Sequence, residues 1–150
     1  AQLINANAVT QVYYVSLSGF DTHAGQKWMQ GRLLKQYSEA VSAFVDDLKM
    51  GNRFDDTLIM TFSEFGRRVK QNASGGTDHG AANNLFLIGG KLKKPGFYNV
   101  MPDLSDLDDG DIKYQIDFRQ VYATLIEKWL GQKSNLILNK EFDLLKDLII

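Results

Sequence analysis

A long amphipathic segment between two short apolar runs constrains the fold of this chain more than any other feature. Residues 28–50 repeat apolar side chains at spacings of three and four, and Gly51 follows, which predicts one long helix that ends there. Residues 12–17 and 57–62 are rich in β-branched and aromatic side chains, which predicts two buried strands. Two strands joined by a helix form a crossover unit, so we expect them to be parallel.

The rest of the chain extends this α/β pattern. Residues 85–88 predict a third short strand, and residues 118–130 predict a second amphipathic helix with Asp117 as its N-cap. The polar residues 69–84 predict a loop. The chain has 150 residues, which is the size of one compact domain. We therefore expect a single domain over residues 1–150, with a three-layer α/β/α architecture and a mostly parallel sheet.

Composition excludes several classes of function. The chain carries 17 basic and 18 acidic residues, a net charge of -1, so no global positive field favours nucleic acid. It has no cysteine, which excludes disulfides, thiolate metal ligands and a cysteine nucleophile. The Asn-Ala-Ser triplet at residues 72–74 matches a glycosylation acceptor, which matters only in a eukaryotic secretory context. No apolar run reaches the roughly 20 residues of a membrane-spanning helix, so we expect neither nucleic-acid binding nor a membrane span.

Both histidines of the chain lie in loops beside short acidic residues. Asp21 and His23 follow the first predicted strand, Glu64 follows the second, and His79 lies in a glycine-flanked loop before the third. Ligands bind beyond the carboxyl ends of the strands in α/β sheets. Carboxylates together with imidazoles are suitable ligands for zinc or manganese. We therefore predict a Zn²⁺ or Mn²⁺ site formed by Asp21, His23, Glu64 and His79.

Three further residues of the same loops are candidates for catalysis and positioning. Arg67 suits an anionic substrate oxygen, because a guanidinium group matches the geometry of phosphate or sulfate. Ser63, at the end of the second predicted strand, is a candidate nucleophile. Asp78 is a candidate either for orienting the imidazole of His79 or for binding the metal itself. The expected substrate is a small anionic molecule or ester.

An interpretation without metal remains open for the same residues. His23 and His79 are also consistent with loop residues that hydrogen-bond to neighbouring aspartates. Glu64 is consistent with a cap of a helix N-terminus, Ser63 with a turn residue and Arg67 with a solvated surface charge. Residue type and spacing therefore leave both interpretations open.

Four segments of the chain, taken in order and spacing, resemble one bacterial family. The segments are Gly19–His23, Ser63–Arg67, Gly76–Gly80 and the helix from Asp117 to Gly131. They resemble the C-terminal part of the family called domain of unknown function 1501, which looks like a branch of the alkaline phosphatase and sulfatase superfamily. The resemblance covers nearly the whole chain, from the first predicted strand to about Gly131.

The resemblance implies a metal-dependent hydrolase of phospho- or sulfo-esters. In the superfamily, an Asp and a His after one strand share a metal with a His from a later loop, and Asp21, His23 and His79 match those roles. A second metal normally uses an Asp-His pair, at the place where Glu64 and Phe65 stand here. Because Phe65 cannot bind a metal, we expect one ion rather than two.

The resemblance also implies that the chain is the C-terminal piece of a larger exported protein. Members of the family often carry a twin-arginine export signal, which implies a periplasmic or exported location. The superfamily's nucleophile lies on a strand earlier than residues 12–17, so we expect the isolated chain to be a poor catalyst. We also expect an exposed sheet edge that promotes self-association.

Two alternative functions remain. One alternative is a non-catalytic exported or surface protein that keeps the fold without the chemistry, and another is a carbohydrate- or anion-binding module built on Arg67 and the aromatic residues.

Overall fold

The computed structural model describes residues 1–150 and shows a mixed α/β fold, which confirms the general α/β class. The elements are, in order, α1 (Gln2–Asn5), α2 (Gln26–Met50), β1 (Ile59–Thr61), β2 (Gly66–Gln71), β3 (Thr77–Gly80), β4 (Phe86–Ile88), β5 (Leu107–Asp108), β6 (Asp111–Ile112), α3 (Phe118–Lys128) and α4 (Ser134–Leu138). All the strands are short, so loops and turns position most of the polar side chains discussed below.

Helix α2 is the longest element and confirms the helix predicted for residues 28–50. It begins directly after Gly25, whose φ of 55° is a left-handed conformation that glycine adopts at little cost. Its C-cap is Gly51, the residue at which the sequence predicts that the helix ends. The apolar side of the helix buries Leu33 and Leu48.

Strands β1 and β4 confirm the strands predicted within residues 57–62 and 85–88, although both are shorter than expected. They pair with each other in the antiparallel direction. Tyr37 of helix α2 contacts both strands: its hydroxyl shares a hydrogen bond of 2.7 Å with that of Thr61, and its ring centroid lies 6.5 Å from that of Phe86. The hydrogen bond joins the helix to the end of β1, directly before the loop that leads towards β2.

The strand predicted over residues 12–17 does not form. This segment makes no backbone hydrogen bond to another part of the chain, and its side chains are exposed. The predicted parallel crossover is therefore wrong, and the chain contains three separate two-stranded antiparallel sheets instead of a mostly parallel one. The physical reason is that apolar composition predicts only that side chains are favoured to be buried. A strand also requires a neighbouring strand to hydrogen-bond with its backbone.

The polar segment predicted as a loop over residues 69–84 contains most of a β-hairpin, formed by β2 and β3. Arg67 of β2 lies opposite His79 of β3, and the register shifts between Arg67 and Gln71. The prediction was wrong because strands are recognised by alternating apolar side chains. These two strands carry mostly polar and charged residues.

Helix α3 confirms the second amphipathic helix, which here ends at Lys128. The predicted N-cap is also confirmed, because the Asp117 carboxylate accepts a hydrogen bond of 2.9 Å from the backbone N–H of Arg119. The helix contributes part of the small core through the buried apolar residues Val121, Ala123 and Leu125.

Few side chains of this fold are enclosed. Ten of the 150 residues are buried, and the accessible surface area is 10947 Å². None of the helices combines the length and the hydropathy needed to cross a lipid bilayer, in line with the sequence prediction of no membrane span. The functional groups of interest therefore lie at an open surface.

Candidate metal centre

The turn of the β2–β3 hairpin lies against the loop that leads into α2. The backbone amides of residues 25–26 donate hydrogen bonds to the carbonyl groups of residues 74–75, at 3.2 and 3.1 Å. Gly76 comes so close that a Cβ at this position would lie 2.3 Å from the carbonyl oxygen of His23, so the contact requires glycine. This contact brings the loop that carries His23 beside the strand that carries His79.

Asp21, His23 and His79 form a cluster in which one carboxylate oxygen meets two imidazole nitrogens. Asp21 Oδ1 lies 2.7 Å from His79 Nε2 and 3.1 Å from His23 Nε2. The two Nε2 atoms are 3.2 Å apart. The three side chains are exposed, so the cluster faces solvent on one side.

The dimensions of this triangle can be compared with those of a metal site. Ligand atoms about 2.0–2.1 Å from a tetrahedral Zn²⁺ lie about 3.3 Å from one another. The three edges in the cluster are 2.7, 3.1 and 3.2 Å, slightly shorter than that separation. Three lone-pair-bearing atoms directed at one point require a proton or a cation among them. The donor set therefore fits a divalent ion that keeps at least one coordination position open to solvent.

Charge and hydrogen bonding keep the carboxylates of this region ionised. The hydrogen bond from His79 lowers the pKa of Asp21 below its usual value, the charges of neighbouring cationic groups lower it further, and partial desolvation opposes them. The hydrogen bond from Asn72 lowers the pKa of Asp78, with a smaller contribution from His23 and some opposition from desolvation. Both groups therefore carry the negative charge that a cation or a protonated imidazole requires.

Arg67 lies beside the cluster but directs its guanidinium group at backbone carbonyls. Its Nη1 donates to the carbonyl oxygen of Thr77 at 2.6 Å, and its Nη2 donates to that of Phe20 at 2.7 Å. Nη2 is also 3.7 Å from Asp21 Oδ1. The side chain is only 17% exposed. In this position Arg67 ties strand β3 to the loop of Asp21, and its two terminal nitrogens are engaged with protein atoms.

The turn after β1 contributes an aromatic ring rather than a ligand. The ring of Phe65 stacks on that of His79, with centroids 4.0 Å apart and an angle of 8° between the planes. Glu64 is exposed and lies outside the group formed by the aspartate and the two histidines. The Ser63 hydroxyl donates a hydrogen bond of 2.9 Å to the carbonyl oxygen of Phe65, within its own turn.

Comparison with known families agrees with the resemblance seen in the motifs. The family model described as "Protein of unknown function (DUF1501)" matches residues 5–138. The chain belongs to this family. No curated protein and no solved structure matches it.

In this DUF1501 member, two residues near the cluster were not recognised from the sequence as contributors to it. In the sequence, Phe65 is only a residue that cannot bind a metal, and Asn72 is only part of a glycosylation triplet. Asp78 is a candidate either for orienting His79 or for binding the metal itself, and in the structure its Oδ1 lies 3.5 Å from Nδ1 of His23. The signal that was available for Asn72 is its position in an Asn-x-x-Gly turn, which is typical of a tight connection.

Proposed function

We propose that the cluster of Asp21, His23 and His79 binds one divalent cation, Zn²⁺ or Mn²⁺, as part of a metal-dependent hydrolase of phospho- or sulfo-esters. The observation that carries this proposal is the convergence of one carboxylate oxygen and two Nε2 atoms within 3.2 Å of one another. Three protein ligands with an open position are typical of catalytic rather than structural zinc sites. Membership of a family that resembles the alkaline phosphatase and sulfatase superfamily supports the ester class of substrate.

The surrounding residues are suited to such a site. A bound divalent cation supplies Lewis acidity towards an ester oxygen and lowers the pKa of a coordinated water. Asp21 provides the negative charge of the ligand set, and Phe65 fixes the plane of the His79 imidazole by stacking. Arg67 holds the loop of Asp21 and adds positive potential beside it, which favours an anionic substrate.

We further propose that residues 1–150 are one structural unit of a larger three-layer α/β/α domain, in an exported or periplasmic protein. The exposed apolar residues 12–17 support this, since they have the composition of a buried strand. In that arrangement Ser63 is a turn residue rather than the nucleophile, because its hydroxyl is engaged with the carbonyl oxygen of Phe65. We therefore expect the isolated chain to bind the cation but to hydrolyse aryl phosphates and sulfates poorly.

A non-catalytic exported protein is the second candidate, and one observation favours it. The place where the superfamily has a second pair of metal ligands is occupied by the exposed Glu64 and by Phe65, which stacks on a histidine. A chain that had lost its chemistry would bind no metal. Metal stoichiometry therefore separates the two candidates.

The deciding experiment is elemental analysis of protein purified without chelators or an affinity tag made of histidines. We expect about one equivalent of Zn or Mn in the wild type, and loss of that metal in D21A, H23A and H79A. The matched control is D46A, because Asp46 is an exposed aspartate on helix α2, outside the cluster. Wild-type protein that binds no metal, even after incubation with Zn²⁺ and Mn²⁺, would overturn the metal assignment in favour of the second candidate.

A further inference from the structure

A single side chain, that of Asn72, connects the loop that carries His23 with the hairpin that carries His79. Its Nδ2 donates to the carbonyl oxygen of His23 at 3.0 Å and to Asp78 Oδ1 at 3.2 Å. Its Oδ1 accepts the backbone N–H groups of Ser74 and Gly76, both at 3.0 Å. The side chain therefore closes the hairpin turn with its oxygen and binds the backbone of His23 and the carboxylate of Asp78 with its nitrogen.

The donation from Asn72 fixes the position of the Asp78 carboxylate. This carboxylate faces Nδ1 of His23 at 3.5 Å, on the side of the ring opposite to the cluster. A histidine that binds a metal through one nitrogen usually directs the N–H of the other at a carboxylate or carbonyl, which sets the tautomer. For His23, a proton on Nδ1 leaves the lone pair of Nε2 free to point at Asp21 and His79.

We propose that Asn72 is a positioning residue of the metal centre, which holds Asp78 against Nδ1 of His23 and thereby presents the Nε2 lone pair of His23 to the cation. The inference rests on the proposed function, but the orientation of His23 can be measured without any metal. The proposal gives Asn72 a role other than glycosylation, because the amide nitrogen that a glycan would modify already donates two hydrogen bonds.

The substitution N72D separates positioning from turn formation. It keeps an oxygen for the backbone N–H groups of Ser74 and Gly76, but it removes both donated hydrogen bonds and places a second negative charge beside Asp78. N72A removes all four hydrogen bonds. The matched control is N99A, since Asn99 is an exposed asparagine whose amide hydrogen-bonds to Val100 and Gln115 in a different part of the chain.

The first measurement is ¹⁵N NMR of the histidine side chains in metal-free protein, at a pH where both are neutral. We expect His23 to be mainly the Nδ1–H tautomer in the wild type and N99A, and to shift towards Nε2–H in N72D and N72A. The second measurement is Zn²⁺ affinity, which we expect to fall about 10- to 100-fold in N72D, the usual effect of losing a partner of a metal ligand.

Several outcomes would contradict the proposal. An Nε2–H tautomer in the wild type, or an unchanged tautomer in N72D, would show that Asn72 does not orient His23. Zn²⁺ binding by N72D equal to that of the wild type would show that Asn72 only forms the turn. Failure of the wild type to bind Zn²⁺ would refute the proposed function, while the tautomer comparison would still decide the role of Asn72. If N72A does not fold, N72D decides the question, because it retains the groups that close the turn.

Discussion

Arg67 illustrates how far the type of a residue determines its role. A guanidinium group near acidic and imidazole side chains suggests an anion site, and the sequence gives no further direction. In the structure, its two terminal nitrogens bind the carbonyl groups of Thr77 and Phe20, which lie far apart in the sequence. A largely buried guanidinium that bridges two backbone segments stabilises their relative position, whatever charge it also contributes to the site.

We expect R67A to lower the free energy of unfolding by about 2 kcal/mol, since the charge-assisted hydrogen bonds to two carbonyl groups are lost. R67K should recover only part of this loss, because a single ammonium group cannot reproduce the fork. Urea denaturation checks the prediction, with R32A as the control, since Arg32 is exposed on helix α2. Unchanged stability in R67A would favour the sequence-based interpretation of a free anion-binding group.

The residues that meet in the cluster could be nominated from the sequence, but their partners could not. Asp21, His23 and His79 stand out in the sequence because these residue types bind metals and because they lie after or before predicted strands. The stacking of Phe65 on His79 and the contact of Asp78 with His23 depend on how the hairpin turn docks against the loop before α2. That docking is a contact between segments about 50 residues apart, which no local pattern encodes.

At the scale of elements, the two longest helices were predicted well because their signals are local, whereas the short helices α1 and α4 were not predicted. Helices α2 and α3 each carry apolar residues at helical spacing and are bounded by residues that start or end helices. Strand pairing depends on partners distant in sequence, so residues 12–17 were assigned wrongly and the polar β2–β3 hairpin was missed. The general α/β class was predictable, whereas the direction and pairing of the strands were not.

The N-cap of α3 makes a pH-dependent contribution to stability. Hydrogen bonds from the guanidinium group of Arg119 are the main factor that lowers the pKa of Asp117. Partial desolvation opposes them, and the capping hydrogen bond from the Arg119 backbone N–H adds a smaller lowering, so the ionised carboxylate stabilises the folded state. This contribution is present above the unfolded pKa, near 3.9, and is lost as the pH falls through the lower pKa of the folded state. We expect D117A to be about 1 kcal/mol less stable than the wild type at pH 7, with a smaller difference in strong acid, where the neutral carboxyl keeps only an oxygen acceptor for the cap.

Urea denaturation of the wild type, D117A and D117N across this pH range checks the prediction. The N-capping ability of asparagine is close to that of aspartate, but asparagine does not titrate. D117N should therefore keep most of the cap, but lose the ion pair with the Arg119 guanidinium and the pH dependence. A D117A deficit that is the same at pH 7 and at pH 2 would contradict the assigned role of the charge.

For the whole molecule, the surface area is larger than its mass predicts. A folded monomer of 16.9 kDa is expected to expose about 7,700 Å², whereas this chain exposes 10947 Å². Part of the excess is apolar and lies in residues 12–17, where Val15 is 90% exposed. A surface of this kind favours association with another polypeptide.

We expect the isolated chain to self-associate in a concentration-dependent manner, observed by sedimentation velocity. The substitution V15K should weaken the association, because a lysine opposes strand pairing and apolar contact. The control is L136K, since Leu136 is a similarly exposed apolar residue, 75% exposed, in helix α4. A monomer at all concentrations, or equal effects of the two substitutions, would contradict the assignment of residues 12–17 as the segment that drives self-association.

The separation of Asp21 and His79 in the sequence has a consequence for how the chain holds together. These residues are 58 positions apart, and the chain has no cysteine with which to form a covalent cross-link. An ion coordinated between them would act as a reversible cross-link that closes this long loop. In the chain-entropy description, a cross-link that closes a loop of that length stabilises the folded state by about 4 kcal/mol. A chelator would then act on this protein as a reducing agent acts on a disulfide-bonded one, by loosening the folded state rather than by removing only its chemistry.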